Sequence, residues 1–453
     1  MEKGAHQIMP TSLPETNGAP KLRRALGLWD LVLYGLIVIQ PTAPMPVYGV
    51  MSVRSNGFAL LTVLLAMVAM LFTAISYGRM ASAYPSAGSA FTYVGREIHP
   101  ALGYITGWSM AMDYMLNPLI CTILCGKFAM NFFPEIPYVV WVVAFAVAFT
   151  LLNLQGIETS AHINTGLVAI MAVVILLFLG ASAHYVYSTP HDGIATFTRP
   201  FFDPKSFSLR SVMGGTSLAV LTFIGFDGIS TLSEEAKNPR RNIMLATVLV
   251  CLLTGLLASV EVYAAQLVWP GAQSFPDVDT AFVYVAGRAG GPWLFAVINV
   301  TLLVATFGSA LGAQLGAARL FYGMGRSGAL PKSFFGAIEP KRKIPRNNVL
   351  LIGAVALIGA LVLNFERGVE LLNFGALLAF MGVNLSSILR GWRHGRWSQW
   401  FPMLLSFAGL VTCALLWWNL DPLAKMVGSA WALAGILLWV VRRRYTVLPG
   451  EDA

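Results

Sequence analysis

Apolar runs separated by short polar stretches fill most of this chain, at 27–53, 57–80, 100–131, 137–154, 163–188, 211–235, 243–269, 282–318, 347–364, 369–389, 398–418 and 423–441. Most reach the roughly 20 residues that a helix needs to cross a bilayer. The pattern predicts an all-α integral membrane protein with about 12 transmembrane helices. Two of the runs are interrupted near their middle. The first carries Gln40-Pro41-Thr42-Ala43-Pro44-Met45-Pro46, and the sixth carries Gly225-Phe226-Asp227-Gly228. Proline has no N–H to give and glycine weakens a helix, so both interruptions free backbone groups. Within hydrocarbon such groups are tolerated only where they line a cavity or are buried in protein. Two broken helices at corresponding places in two halves of a chain mark the substrate site of a secondary transporter.

Composition places the chain in lipid. It has 453 residues, 57% hydrophobic and 11% charged, against about 25% charged in soluble domains. Basic residues set the orientation. With Lys21, Arg23 and Arg24 on the cytoplasmic side and sides alternating from there, 22 of the 30 basic residues collect on that side. Among them are Lys3, Arg396, Arg443 and Arg444. Both termini are therefore expected in the cytoplasm. The net charge of +9 follows from this bias, so no nucleic-acid partner is needed to explain it. The first 20 residues are polar, which predicts no signal peptide and a first span that serves as its own insertion signal. Cys121, Cys125, Cys251 and Cys413 all fall in spans with no histidine set to complete a metal site, so free thiols and no metal or cofactor are expected.

Counting the broken runs as spans one and six gives five spans to each half. An odd number per repeat puts the halves in opposite topology, as an inverted repeat requires. The resulting plan is a cytoplasmic tail at 1–24, a first five-helix repeat at 25–189 and an external connection at 190–210. A second repeat at 211–390, two added helices at 391–442 and a tail at 443–453 follow.

Three stretches then carry a family resemblance: Tyr84-Pro-Ser-Ala-Gly-Ser-Ala-Phe-Thr-Tyr93, Phe223-Ile-Gly-Phe-Asp-Gly-Ile-Ser230 through Glu235, and Ala318-Arg-Leu-Phe-Tyr-Gly-Met-Gly-Arg-Ser-Gly-Ala-Leu-Pro331. From about Leu22 to Arg390 the chain resembles the amino acid–polyamine–organocation superfamily of permeases. Within it the chain most resembles the branch of bacterial putrescine importers, through Phe72 to Gly78, Gly107-Trp-Ser, Asp113-Tyr114, Pro331 to Gly336 and Asn373 to Ala376. The resemblance implies a LeuT-like fold, a bacterial inner-membrane location and import of a small amine or amino acid. Relatives that bind α-amino acids place a Gly-Ser-Gly-like run in the first break, whose N–H groups hold the carboxylate; Pro41, Pro44 and Pro46 stand there here. The putrescine branch carries an acid near the position of Pro46, and that acid is missing.

The expected substrate site therefore takes Gln40, Pro41, Thr42, Ala43, Pro44 and Met45 from the first break and Phe223, Gly225, Phe226, Asp227 and Gly228 from the second. A carboxylate at membrane depth usually marks a substrate or ion path, which singles out Asp227 and Asp113. Asp227 also fits a plainer role, capping the helix that resumes after the break. Phe223 and Phe226 are expected as an apolar or cation–π wall. Proton coupling would run through Asp113, Asp227 or His162, because the fifth span lacks the lysine that some proton-coupled relatives place there. Sodium coupling would draw on the hydroxyls of Thr306 and Ser309. Glu261 reads as a structural hydrogen-bonding group, and Glu234 and Glu235 beside Lys237, Arg240 and Arg241 as a gate or a solvated cluster. The expectation is thus an alternating-access importer. A sodium symporter or exchanger of the same fold and a non-transporting membrane sensor are the alternatives. An enzyme would need a nucleophile–base or metal set that the six histidines do not supply.

Overall fold

A computed structural model describes residues 24–85, 88–156, 161–271, 274–326, 328, 330–393 and 400–442, of which 161–165 and 442 by backbone alone. The two expected tails, save Arg24, lie outside the described residues. So do Lys3, Lys21, Arg23, Arg396, Arg443 and Arg444, Ser86 and Ala87, Ser327 and Ala329, and the His162 side chain.

The chain runs through α1 (Leu28–Ile39), α2 (Pro44–Arg54), α3 (Ala59–Ala83), α4 (Ser89–Glu97), α5 (Pro100–Met130), α6 (Tyr138–Leu154), α7 (Ala161–Ser188), α8 (Ile194–Thr198) and α9 (Leu209–Ala219). Two 3₁₀ segments, Val220–Phe223 and Phe226–Leu232, come next. They are followed by α10 (Pro239–Val268), α11 (Ala281–Gly290), α12 (Pro292–Arg326), α13 (Lys332–Phe335), α14 (Arg346–Val362), α15 (Phe365–Arg393), α16 (Trp400–Trp418) and α17 (Pro422–Arg442). Among the described residues eight helices are long and apolar enough to cross a membrane, or nine if the bent pair α1–α2 is one span. The expected count of about 12 exceeds this because α6 and α14 are apolar but only 17 residues long. α5 has the length, at 31 residues, and carries Asp113 and Lys127.

Both interruptions are real, with different geometries. α1 and α2 meet at 57°, where Gln40 takes φ 70 and α2 opens on Pro44. The second break falls at Ile224 and Gly225, whose φ of 119 suits a residue without a Cβ. Past it the chain resumes as 3₁₀ rather than α-helix. The hydroxyls of Ser230 and Thr231 bond to carbonyls three residues back, at 2.7 and 2.6 Å, and favour that tighter winding. One other expectation needs correction. The run 282–318 is not one span: Gly291, at φ 80, and Pro292 divide it into α11 and α12. In the stretch after the second span, Ser89–Glu97 is helical.

Packing centres on α3 against α10, and on α5 against α12 and α15. α15 buries most of its apolar surface, while α16 and α17 leave most of theirs outward, where lipid would cover it. α17 is nevertheless fixed to α5. Trp108 and Trp431 stack with centroids 4.4 Å apart, and each indole N–H donates to the other's carbonyl, at 2.8 and 2.9 Å. One end of the broken elements is sewn together: Ala25 N–H donates to Glu235 O at 2.9 Å, Lys237 N–H donates to Leu26 O at 2.7 Å, and Leu26 and Ala236 form a parallel bridge. The opposite end is closed over α2. Arg54 lies 3.9 Å from Glu366 and 3.8 Å from Glu370, Tyr48 packs edge-on to Phe275 and Phe282, and Lys127 pairs with Asp277 at 2.9 Å.

Candidate functional site

A cavity of about 420 Å³ lies where the two breaks face α5 and α12. That is within the roughly 300–1,000 Å³ usual for small-molecule sites. Each wall follows from local sequence. The α1 end supplies Tyr34 and Gln40, and the Gln40 side-chain amide donates to Ala305 O at 3.2 Å, tying the break to α12. The second break supplies Gly225, Asp227 and Gly228. The Asp227 carboxylate accepts the Gly225 N–H at 3.3 Å, and the Gly228 backbone N–H also acts on it. The helix-cap role anticipated for Asp227 and its place in the cavity therefore coexist.

α5 offers Asp113, Tyr114 and Asn117 on one face. Pro118, inside that helix, has no N–H for the Tyr114 carbonyl one turn back, so that carbonyl lacks its intrahelical donor beside the cavity. α12 contributes Ala305, Gly308, Ser309, Gly312 and Gly316, spaced by three and four residues and so on one face. A Cβ at Gly308 or Gly312 would meet nothing within 4 Å, so these glycines hold the cavity open. Asp113 and Asp227 are each 7% exposed and both line this cavity. Among the described residues, no lysine or arginine lines the cavity.

Of the anticipated site residues, Gln40, Gly225, Asp227, Gly228, Asp113 and Ser309 come together here. Pro41, Thr42, Ala43, Pro44 and Met45 do not line the cavity. The Ala43 and Met45 N–H groups are spent on the carbonyls of Gln40 and Thr42. Phe223 and Phe226 form no wall for a ligand. Both are wholly buried, and Phe226 packs against Tyr77 and Phe380 with centroids 5.6 and 5.3 Å away. The aromatic lining comes instead from Tyr34 and Tyr114. Thr306 is buried off the lining. Glu261 has no hydrogen-bond partner among the described residues, contrary to its expected bonding role. Sequence reasoning missed Tyr34, Asn117 and, apart from Ser309, the α12 face. The Gly308, Gly312, Gly316 spacing was the signal that could have exposed that face.

Apolar helices in this number, around a cavity that two helix breaks line together with the carboxylates of Asp113 and Asp227, define a multi-pass membrane transporter. The sequence matches the amino acid permease family over residues 28–419. It is 37% identical to the low-affinity putrescine importer PlaP of Escherichia coli, over 96% of this chain and 95% of the relative. It is 28% identical to the branched-chain amino acid permease BcaP of Bacillus subtilis, over 95% of each. In shape it resembles a crystal structure of the Eremococcus coleocola manganese transporter (mutant H236A), with a TM-score of 0.53 at 14% identity, covering 96% of this chain and 98% of that one. The chain belongs to the amino acid permease family, within the amino acid–polyamine–organocation superfamily. These relatives are permeases and importers, not enzymes.

Proposed function

We propose that the protein is a secondary active importer of a small amine, of the kind represented by putrescine, and that it works by alternating access with proton coupling. One observation carries the choice of an amine over an α-amino acid: Asp113 and Asp227 line the cavity, and no lysine or arginine is among the described lining residues. Two like charges in a poorly solvated site repel, and a cation between them relieves the repulsion. A carboxylate ligand would find no counter-charge. The first break also offers it little, because Pro41, Pro44 and Pro46 lack N–H groups and the amides of Ala43 and Met45 are bonded already. The 37% identity to a putrescine importer points the same way.

In this reading α1 with α2, α3, α5, α6 and α7 form the first repeat. Leu209–Leu232, α10, α12, α14 and α15 form its inverted, LeuT-like counterpart, and α16 and α17 complete twelve spans. Both termini face the cytoplasm of a bacterial inner membrane. The cavity extends toward Thr231 and Gly316, away from the end closed by Arg54 and Glu370, which corresponds to an inward-facing state. Sodium coupling has less support, since Ser309 lines the cavity and Thr306 does not.

Uptake into proteoliposomes, with labelled putrescine, a cationic amino acid and a neutral amino acid under imposed pH or sodium gradients, tests the proposal. Putrescine accumulation driven by an acid exterior is expected. Uptake of neutral amino acids alone would overturn it.

A further inference from the structure

Glu261 lies two turns before the end of α10, near the closed end of the molecule. It is 0% exposed, and neither carboxylate oxygen has a hydrogen-bond partner among the described residues. An ionised carboxylate left so is strongly disfavoured, and an intramembrane acid without a partner is a functional group by default.

Among the described residues, the elements packed on α10 bring it no counter-charge. On α2, Arg54 is engaged with Glu366 and Glu370, and Tyr48 is enclosed by Phe275 and Phe282. On α11, Tyr284 donates to Asn131 and Arg288 to the Tyr185 hydroxyl. Beside Tyr185, α7 carries His184 and Tyr187, both exposed. On α3, Tyr77 packs with Tyr93 and Phe226, and Arg79 reaches Ser387 and Ser406. On α1, Asp30 accepts from Gly27 and Tyr34 lines the cavity, as does Asp227 of the second 3₁₀ segment. Meanwhile α10 packs against α1, α2 and both 3₁₀ segments, which are the pieces of the broken spans that alternating access must move.

We infer that Glu261 is the proton site of this transporter, separate from the substrate cavity. It takes a proton from water when the α2 end opens, holds it as the neutral acid in the closed seam seen here, and gives it up when the seam rearranges. The inference rests on the transporter reading and adds the carrier of the coupling proton.

The test uses the full chain in proteoliposomes and labelled putrescine, with two readouts: accumulation driven by an imposed pH gradient, and gradient-free counterflow against unlabelled putrescine. In Glu261→Gln the first is expected to fall to the level seen without a gradient, while counterflow continues at the wild-type rate. Wild-type pH-driven accumulation in Glu261→Gln overturns the assignment, as does loss of both readouts in a folded variant. So does uptake by the unaltered protein that ignores pH. Should Glu261→Gln fail to fold, Glu261→Asp decides the matter: a displaced pH profile of uptake supports the assignment, an unmoved one overturns it. If the unaltered protein shows no counterflow with any amine or amino acid, the transporter reading falls and takes this assignment with it.

Discussion

Asp113 and Asp227 reach one cavity from separate elements, so each changes what the other can hold. A hydrogen bond to a charged group contributes about 1.5–3 kcal/mol, or roughly ten- to hundredfold in affinity. Asp227→Asn and Asp113→Asn should each raise the KM for putrescine by about that factor while the protein still elutes as a folded species. Unchanged uptake in both variants would remove these acids from the mechanism. Gln40 differs in kind. Its backbone sits at φ 70 and its amide is held by Ala305, so Gln40→Ala frees a break that the side chain now fixes to α12. The expected result is a lower melting temperature together with slower uptake, read by thermal denaturation and initial rates.

Elements show what was legible in the sequence and what was not. The two breaks were visible because proline and glycine act on the local backbone, and local effects survive without knowledge of neighbours. Asp113 was visible from its depth alone. The Phe223 and Phe226 wall was misplaced because direction around the break depends on winding, and the stretches on both sides of it wind as 3₁₀ helix. The α12 face was hidden for another reason: small residues at a helix contact and small residues beside a void look alike in sequence. The structure separates them, and a test follows. Gly312→Leu adds a side chain into open space, so it should abolish putrescine binding with little change in thermal stability. Loss of stability comparable to an overpacked core, about 1–3 kcal/mol, would mean that the space is not there. α17 gives the converse case. Trp431→Ala removes the ring stack and the indole N–H bond to the Trp108 carbonyl, while the carbonyl that accepts from the Trp108 indole remains, and a change of this type costs about 3–5 kcal/mol in a core. Thermal denaturation in detergent should register it clearly, with the KM little altered.

At the scale of the whole molecule, one end is closed by ion pairs and aromatic packing over α2 while the cavity extends toward the other. Access should therefore be one-sided in the absence of ligand. A cysteine placed at Thr231 is expected to react with a membrane-impermeant maleimide in inside-out vesicles and not in right-side-out ones. Equal labelling from both sides, or labelling from the outer side alone, would refute the inward-facing assignment. The broken spans also hold together at one end. The bonds joining Ala25 and Leu26 to Glu235 and Lys237 link α1 to the second 3₁₀ segment, so these pieces should swing together.

The bond from Gln40 to Ala305 also bears on how the chain is made. Its two residues are 265 positions apart. At roughly 5–20 residues per second, the ribosome needs roughly a quarter of a minute to a minute to supply the partner. For that interval the first span must wait with its polar break unmatched. Premature release into lipid would strand the Gln40 amide in hydrocarbon. The insertion machinery, or water held at its lateral opening, has to shelter the amino-terminal helices until the second half of the protein arrives.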